Sequence, residues 1–494
     1  MGKGIKRVVS FLTTDESRQI ELELPFTILM FALMTSSGIT LYEGWKKLCS
    51  INLLPRTQQE AKEIVRRVEV LAYDPLTVMY RKAEETKSKA YREFLVGYVS
   101  AVKSGGNVLT FLKNKLSSIL VLRSAAAKQS VETLATIVEV YTVMLVVTLC
   151  CYILFVVMFS TGVLNTMGVT ASIQVSPVTY FLFLFLTSLM SVVLMMIAHL
   201  IRRSNLVALK EPYVIAVFPL IGTLVFFVMA MFLPQLQFIV ESLGVSVLAL
   251  ICLLIISIPP IFSYQQIAKT NFAAEDAMPS FLRDVTEARK TGLSPETCII
   301  QASKRRAYGS FSEVLGLIRN QIEWGVPLRK IFRNIGKRIK SWPVLVNFFI
   351  LIESIEVGGG STTALEILTE YSETSRNIEK TKRNMLKPYI LLSFIWSILL
   401  AFTMTTLTII MNSLSQMSIV GVTQKIVTAM EPTTGLLAAG VVFQCWLSGF
   451  FMGKVSDGTF AAGFKYSAML AITAYLSLLV SQNLLGNMFN LIPA

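Results

Sequence analysis

Residues Glu353–Leu368 read "ESIEVGGGSTTALEIL": three consecutive glycines, then Ser361, Thr362 and Thr363, then a run of helical character. Such a stretch either holds a nucleotide phosphate between a strand and a helix, making the chain an α/β enzyme, or turns a corner between two helices. A phosphate loop requires a strand before it, backbone amides aimed at the phosphate, and a Gly-Lys-Ser/Thr ending whose lysine and hydroxyl reach phosphate and magnesium. Here the preceding residues read as helix and no lysine follows the glycines. The corner is the expected reading, with Gly358, Gly359 and Gly360 turning the chain and Ser361 or Thr362 capping the next helix.

Working outward, this stretch closes the second of two similar segments. "ELPFTILMFALMTSSGITLYEG" from Glu23 aligns with "AMPSFLRDVTEARKTGLSPETC" from Ala277, placing Pro25 on Pro279 and Gly38 on Gly292. "DPLTVMYRKAEE" from Asp74 aligns with "VPLRKIFRNIGK" from Val326, placing Pro75 on Pro327, and Gly105 and Gly106 fall on Gly358 and Gly359. Conserved spacing of this kind marks an internal duplication. The copy of the glycine corner, Lys103–Asn107, has no Ser/Thr run.

Each copy reads as helical. Leu328, Ile331, Phe332, Ile335 and Ile339 recur at the three-and-four spacing of one buried helix face. Ser294 before Pro295 is a helix start, and Gly292 and Gly325 stand where helices stop. No stretch outside the apolar runs alternates long enough for a sheet.

The 494-residue chain is 53% hydrophobic and only 15% charged, well toward the membrane side of ordinary domains. A span needs about 20 apolar residues. Seven runs qualify, near 138–160, 178–200, 213–233, 244–262, 389–411, 433–452 and 466–486. The apolar run Leu24–Leu41 carries Pro25, Thr27, Thr35, Ser36, Ser37 and Gly38, and is expected to be a buried helix of a soluble domain instead. The expected fold is an all-α polytopic membrane protein. Helical domains at 1–137 and 263–388 alternate with spans at 138–262 and 389–494.

Of 45 Lys and Arg residues, twenty lie in 1–137, nineteen in 263–388 and six elsewhere: Arg202, Arg203, Lys210, Lys425, Lys454 and Lys465. With seven spans and a cytoplasmic N-terminus, only Lys425 faces outward, as the positive-inside rule requires. Both helical domains are then cytoplasmic.

The proline-led helix, the turns "SSGITLYE" and "TGLSPE", the "WGVPL" turn, and a Glu-containing helix ending in a glycine corner together resemble the F domain of type II secretion and type IV pilus inner-membrane platforms. With two copies, the chain resembles the archaeal branch, the platform of the archaellum and of archaeal adhesive pili. The first copy departs from the pattern, with Tyr73 and Asp74 at the "WGVPL" Trp-Gly and Lys103 where the second has Glu356. The resemblance implies a non-enzymatic part, without cofactor, on which a hexameric cytoplasmic ATPase acts to move pilin or archaellin subunits from the membrane into a filament. No G-x-x-x-x-G-K-[ST] occurs in the chain.

Charge supplies the candidate working surface. Arg329, Arg333, Lys337 and Lys340 recur at helical spacing opposite the apolar face, with Lys330 and Arg338 nearby. The stripe suits an acidic surface of the ATPase or anionic lipid headgroups, and equally a solvated face that serves only topology. Lys380, Lys382, Arg383 and Lys387 precede a span and read as a topology anchor. Gly38, Gly105, Gly106, Gly292, Gly358, Gly359 and Gly360 read as structural turns.

The remaining chemistry is sparse. The single histidine, His199, at the end of a span has no second histidine for a metal site or relay, and reads as an interfacial anchor. Six cysteines show no C-x-x-C spacing and read as buried apolar residues. No ionisable residue falls mid-span, which argues against the alternative class, a solute transporter. Small residues in "GLLAAGVVFQCWLSGFFMG" and "AAGFKYSAMLAITAYLS" permit close helix packing, either within the chain or against a second copy, and a homodimer is expected. No nucleic-acid partner is expected.

Overall fold

A computed structural model describes residues 16–51, 53–160, 177–201, 210–232, 244–305, 308–417 and 423–490. Among these there are helices and no β-strand. The first copy consists of α1 (Glu16–Ser36), α2 (Leu41–Leu48), α3 (Pro55–Glu69), α4 (Pro75–Glu85), α5 (Lys89–Lys103) and the start of α6 (Val108–Ser160). Next come α7 (Pro177–Ile201), α8 (Glu211–Phe232) and α9 (Val245–Lys290), whose C-terminal part opens the second copy. That copy continues with α10 (Pro295–Ser303), α11 (Phe311–Glu323), α12 (Leu328–Arg338), α13 (Trp342–Gly358) and the start of α14 (Thr362–Met417), and α15 (Thr423–Asp457) and α16 (Phe460–Asn490) close the chain.

The helices form two compact units. Residues 1–127 and 269–380 make the first, and 128–268 with 381–494 the second. Both copies of the repeat therefore belong to a single unit with one continuous apolar core.

The helix starts and stops follow local chemistry. Thr40 and Ser294 occupy the same position in the two copies, each accepting from the backbone N–H three residues on. Thr40 adds a reciprocal bond from Glu43, a complete capping box. Gly38 (φ +80°) and Gly292 (φ +88°) supply the left-handed turns ahead of them. Helix α1 is buried all round from Glu23 through Met34, which is why Leu24–Leu41 belongs in a core and not in a bilayer.

One part of the sequence alignment shifts by a residue. The left-handed positions before α4 and α12 are Ala72 (φ +52°) and Gly325 (φ +70°), and the N-caps are Asp74 and Pro327. Pro75 therefore matches Leu328, not Pro327. Proline fits both places, as the first helical residue and as an extended cap, so matching the two prolines gives a false register.

Among the described residues, five helices are long and apolar enough to span a membrane: Val108–Val147, Val245–Lys290, Thr362–Thr406, Gly435–Asp457 and Phe460–Leu484, the last two wholly within the second unit. Phe185–Ile201 and Glu211–Phe226 are shorter apolar pieces lying in two more of the seven expected runs. Residues 161–176, between the first two expected spans, and Arg202 and Arg203 lie outside the described residues.

The small residues of the last two spans are used within the chain. A Cβ placed on Gly453 would stand 2.3 Å from Gly463 Cα, and one on Gly449 2.2 Å from Ser467 Cα. The α15–α16 hairpin is thus in backbone contact. Neutral polar groups join neighbouring spans: Gln444 donates to Ser191 at 2.7 Å, Tyr141 shares a bond with Ser448 at 2.5 Å, and Trp446 donates to Ser257 at 2.8 Å. Beside them lies a cavity of about 20 Å³ lined by Tyr141, Ser397, Gln444 and Ser448, room for roughly one water. His199 stacks on Phe460 with ring centroids 5.3 Å apart.

Candidate partner-docking face

Helix α12 begins after the tight turn at Gly325 and buries Ile331 and Ile335, with Ile339 buried beyond its end. Leu328 and Phe332 pack against the same core from its edge. Burying that face leaves the opposite one, with its basic residues, to solvent.

The six expected stripe residues fall into three groups. Lys330, Arg333, Lys337 and Arg338 are exposed, and among the described residues none forms an ion pair. Arg329 is engaged: its guanidinium meets Glu356 at 2.6 Å and Glu353 at 3.2 Å across on α13. The Glu356 bond, with the charge of Glu353, raises the Arg329 pKa, while burial pushes the Glu353 carboxyl up despite the arginine beside it. Lys340 lies past the helix end, half-buried, where Asn271 Oδ1 accepts its backbone N–H at 2.7 Å and that of Ser341 at 3.0 Å. The free charge of the stripe is therefore four cations, and Arg329 belongs to the scaffold.

The equivalent helix of the first copy is different. Helix α4 carries Arg81, Lys82, Glu84 and Glu85, which balance, whereas α12 carries five basic residues and no acidic one. Lys82 is buried between Glu60 at 3.0 Å and Glu63 at 2.5 Å, and Arg81 lies over the Tyr73 ring at 5.0 Å. The two copies share a backbone but not a surface.

The glycine corner is a turn closed on itself. Gly359 (φ +59°) and Gly360 (φ +64°) are left-handed, while Gly358 is the last residue of α13. Gly359 N–H donates to Ile355 O and Gly360 N–H to Ser354 O, so these amides are consumed by the helix they end. Ser361 Oγ accepts from Ala364 N–H at 3.2 Å to start α14. Arg289 donates to the carbonyls of Gly360 at 2.9 Å, Gly359 at 3.0 Å and Leu293 at 2.6 Å. The corner presents carbonyl oxygens to a cation and not amides to an anion, the reverse of a phosphate cradle. In the first copy Gly105 (φ +67°) makes the turn, Gly106 does not have positive φ, and Asn107 caps the next helix.

Two features here escaped the sequence reading. Arg289 is one arginine among many, and only the fold brings it to a corner 70 residues away. Trp324, beside Gly325, is 82% exposed. Its position opposite the buried face of Phe311, Val314, Leu315 and Ile318 was the available signal.

The profile of the family described as "Type II secretion system (T2SS), protein F" matches residues 27–156 and again 281–409, together just over half of the chain. An uncharacterized protein of Methanocaldococcus jannaschii is 21% identical across 94% of this chain and 80% of its own length. No solved structure matches. With two matched copies that coincide with the two structural repeats, the chain belongs to the type II secretion system protein F family.

Proposed function

We propose that this chain is the inner-membrane assembly platform of an archaeal type IV filament machine, a pilus or an archaellum. In this reading its N-terminus and its duplicated helical unit lie in the cytoplasm. There a hexameric ATPase engages that unit, and pilin-like subunits leave the membrane at the span-rich unit. Family members are inner-membrane platform proteins of secretion and pilus-type machines that work with secretion ATPases and pilins, and the relative from an archaeon supports the archaeal branch. The observation that carries the reading is the concentration of basic residues in the duplicated unit, with four unpaired cations on α12. A positive face of this kind raises the association rate with an acidic partner and orients it.

The test uses the full-length chain in nanodiscs with a cognate hexameric assembly ATPase. Binding is expected to weaken at least tenfold in the double variant Arg333→Glu, Lys337→Glu, with steep salt dependence in the wild type. Arg329→Glu is a poor probe because it also breaks the pairs with Glu353 and Glu356. Wild-type chain that ignores the ATPase, or cells lacking the chain that still build filaments, would overturn the proposal.

A further inference from the structure

Trp324 is the most exposed large apolar side chain described in the chain, and its backbone is tied into a turn. Its backbone N–H caps α11 by donating to Asn320 O, and the next two amides, of Gly325 and Val326, return to Ile322 O and Gln321 O. Leu317, seven residues earlier on the same side of α11, is exposed as well. Glu323 beside it is occupied by Arg319 at 4.0 Å. Four unpaired cations begin six residues downstream on α12. An exposed indole on a hydrogen-bonded turn, just before a helix with free arginine and lysine, is the composition of an interface anchor, since Trp and Arg dominate binding hot spots.

The first copy supplies the internal comparison. Leu71 occupies the position of Trp324 and is 55% exposed, with Val70 and Tyr73 nearby. Its neighbouring helix offers no free cation field, because Lys82 is buried against glutamates and Arg81 covers Tyr73. The helix that follows the corner thus carries a free basic face in the second copy and none in the first.

We infer that the chain docks its partner asymmetrically, through the second copy only. Trp324 enters an apolar pocket rimmed by acidic residues on the partner, while Lys330, Arg333, Lys337 and Arg338 meet the acidic rim. The inference rests on the proposed function, which names that partner as the ATPase. A bilayer surface is the less suitable occupant. A helix lying on a membrane inserts its apolar face, and the apolar face of α12 is already spent in the core.

The test measures binding kinetics of full-length chain in nanodiscs of neutral lipid against the cognate ATPase, and adsorption of the chain in detergent to vesicles containing anionic lipid. Trp324→Ala is expected to raise the dissociation rate about tenfold. Arg333→Glu with Lys337→Glu is expected to act on the association rate, and Leu71→Ala to change either by less than twofold. Both single substitutions are at exposed sites, so folding is preserved and checked by thermal melt. Equal effects of Trp324→Ala and Leu71→Ala on ATPase binding would overturn the asymmetry. Loss of vesicle adsorption with ATPase binding intact would assign the surface to lipid and overturn the inference. Failure of the wild-type chain to bind the ATPase removes the proposed function, whereas binding indifferent to Trp324 removes this inference alone.

Discussion

The rings of Phe26 and Trp342 meet edge to face, centroids 4.6 Å apart and planes at 81°, joining the first copy of the repeat to the second. Tyr371 approaches the same phenyl ring at 5.3 Å, and the Trp342 indole N–H donates to Leu53 O at 3.4 Å. The duplicated domains are therefore halves of one fold. Phe26→Ala should cost about 3–5 kcal/mol, the usual range for a buried aromatic. In a double-mutant cycle, Phe26 and Trp342 should couple by about 0.5–1.5 kcal/mol. Thermal melts of the purified chain measure both, and a coupling near zero would mean the copies fold independently.

Which parts of this were legible beforehand follows from the range of the forces involved. Helix ends at Gly38, Ser294 and Ser361 are set by bonds spanning three to five residues, so their chemistry is written locally. The register error at Pro75 arose because proline satisfies two adjacent cap positions equally well, and only the φ of Ala72 against Gly325 separates them. The fate of the charged stripe was less accessible. Whether Arg329 is free depends on Glu353 and Glu356, a full helix away in sequence, and nothing in the spacing of α12 distinguishes it from Arg333.

The α15–α16 hairpin gives a second prediction. Gly453→Ala forces a methyl into the space now held by the Gly463 backbone, so the helices must part by an ångström or more along the crossing. Overpacking of this kind costs about 1–3 kcal/mol. Gly222→Ala on α8, where the added methyl meets nothing within 4 Å, serves as the control. The first variant should lower the melting temperature and the yield of folded protein, and the second should change neither; equal behaviour would show that the close crossing is dispensable.

The ion cluster between α3 and α4 makes the stability of the first unit depend on pH. Burial pushes the Glu63 carboxyl up, but Lys82 and Arg67 together outweigh it and hold it below the usual carboxylate range, and Arg67 holds Glu85 low too. Burial likewise pushes the Lys82 ammonium down, and its bonds to Glu63 and Glu60 outweigh that and raise it. A depressed carboxylate contributes its stability above its unfolded pKa of about 4.3 and loses it as pH falls through the lower folded value. The raised lysine contributes fully below about 10.4 and loses its share only as pH rises through its folded value. Melting temperature should therefore be flat through neutrality and fall below about pH 4.5. Lys82→Met should cost on the order of 3 kcal/mol at pH 7, because it strands buried Glu60, with half-buried Glu63 beside it, among fewer cations. The cost should shrink in acid as the Glu63 carboxyl takes up a proton; a penalty independent of pH would assign Lys82 a packing role only.

Arg289 tests what holds the glycine corner. Its guanidinium closes three carbonyls at once, on Leu293, Gly359 and Gly360, tying the start of α10 to the turn between α13 and α14. The three acceptors are fixed in direction, and a planar fork matches them where an ammonium would reach only one or two. Hydrogen bonds from a charged donor contribute about 1.5–3 kcal/mol each when enclosed, and less here because part of the fork is exposed, so Arg289→Ala should cost about 2 kcal/mol in total. Arg289→Lys should recover only part of it. The more direct readout is hydrogen exchange of Ile355–Thr362, which should speed up in Arg289→Ala while α3 and α5 stay unchanged. Exchange that remains slow there would mean that the amides of Gly359 and Gly360, bonded back into α13, hold the corner without the arginine.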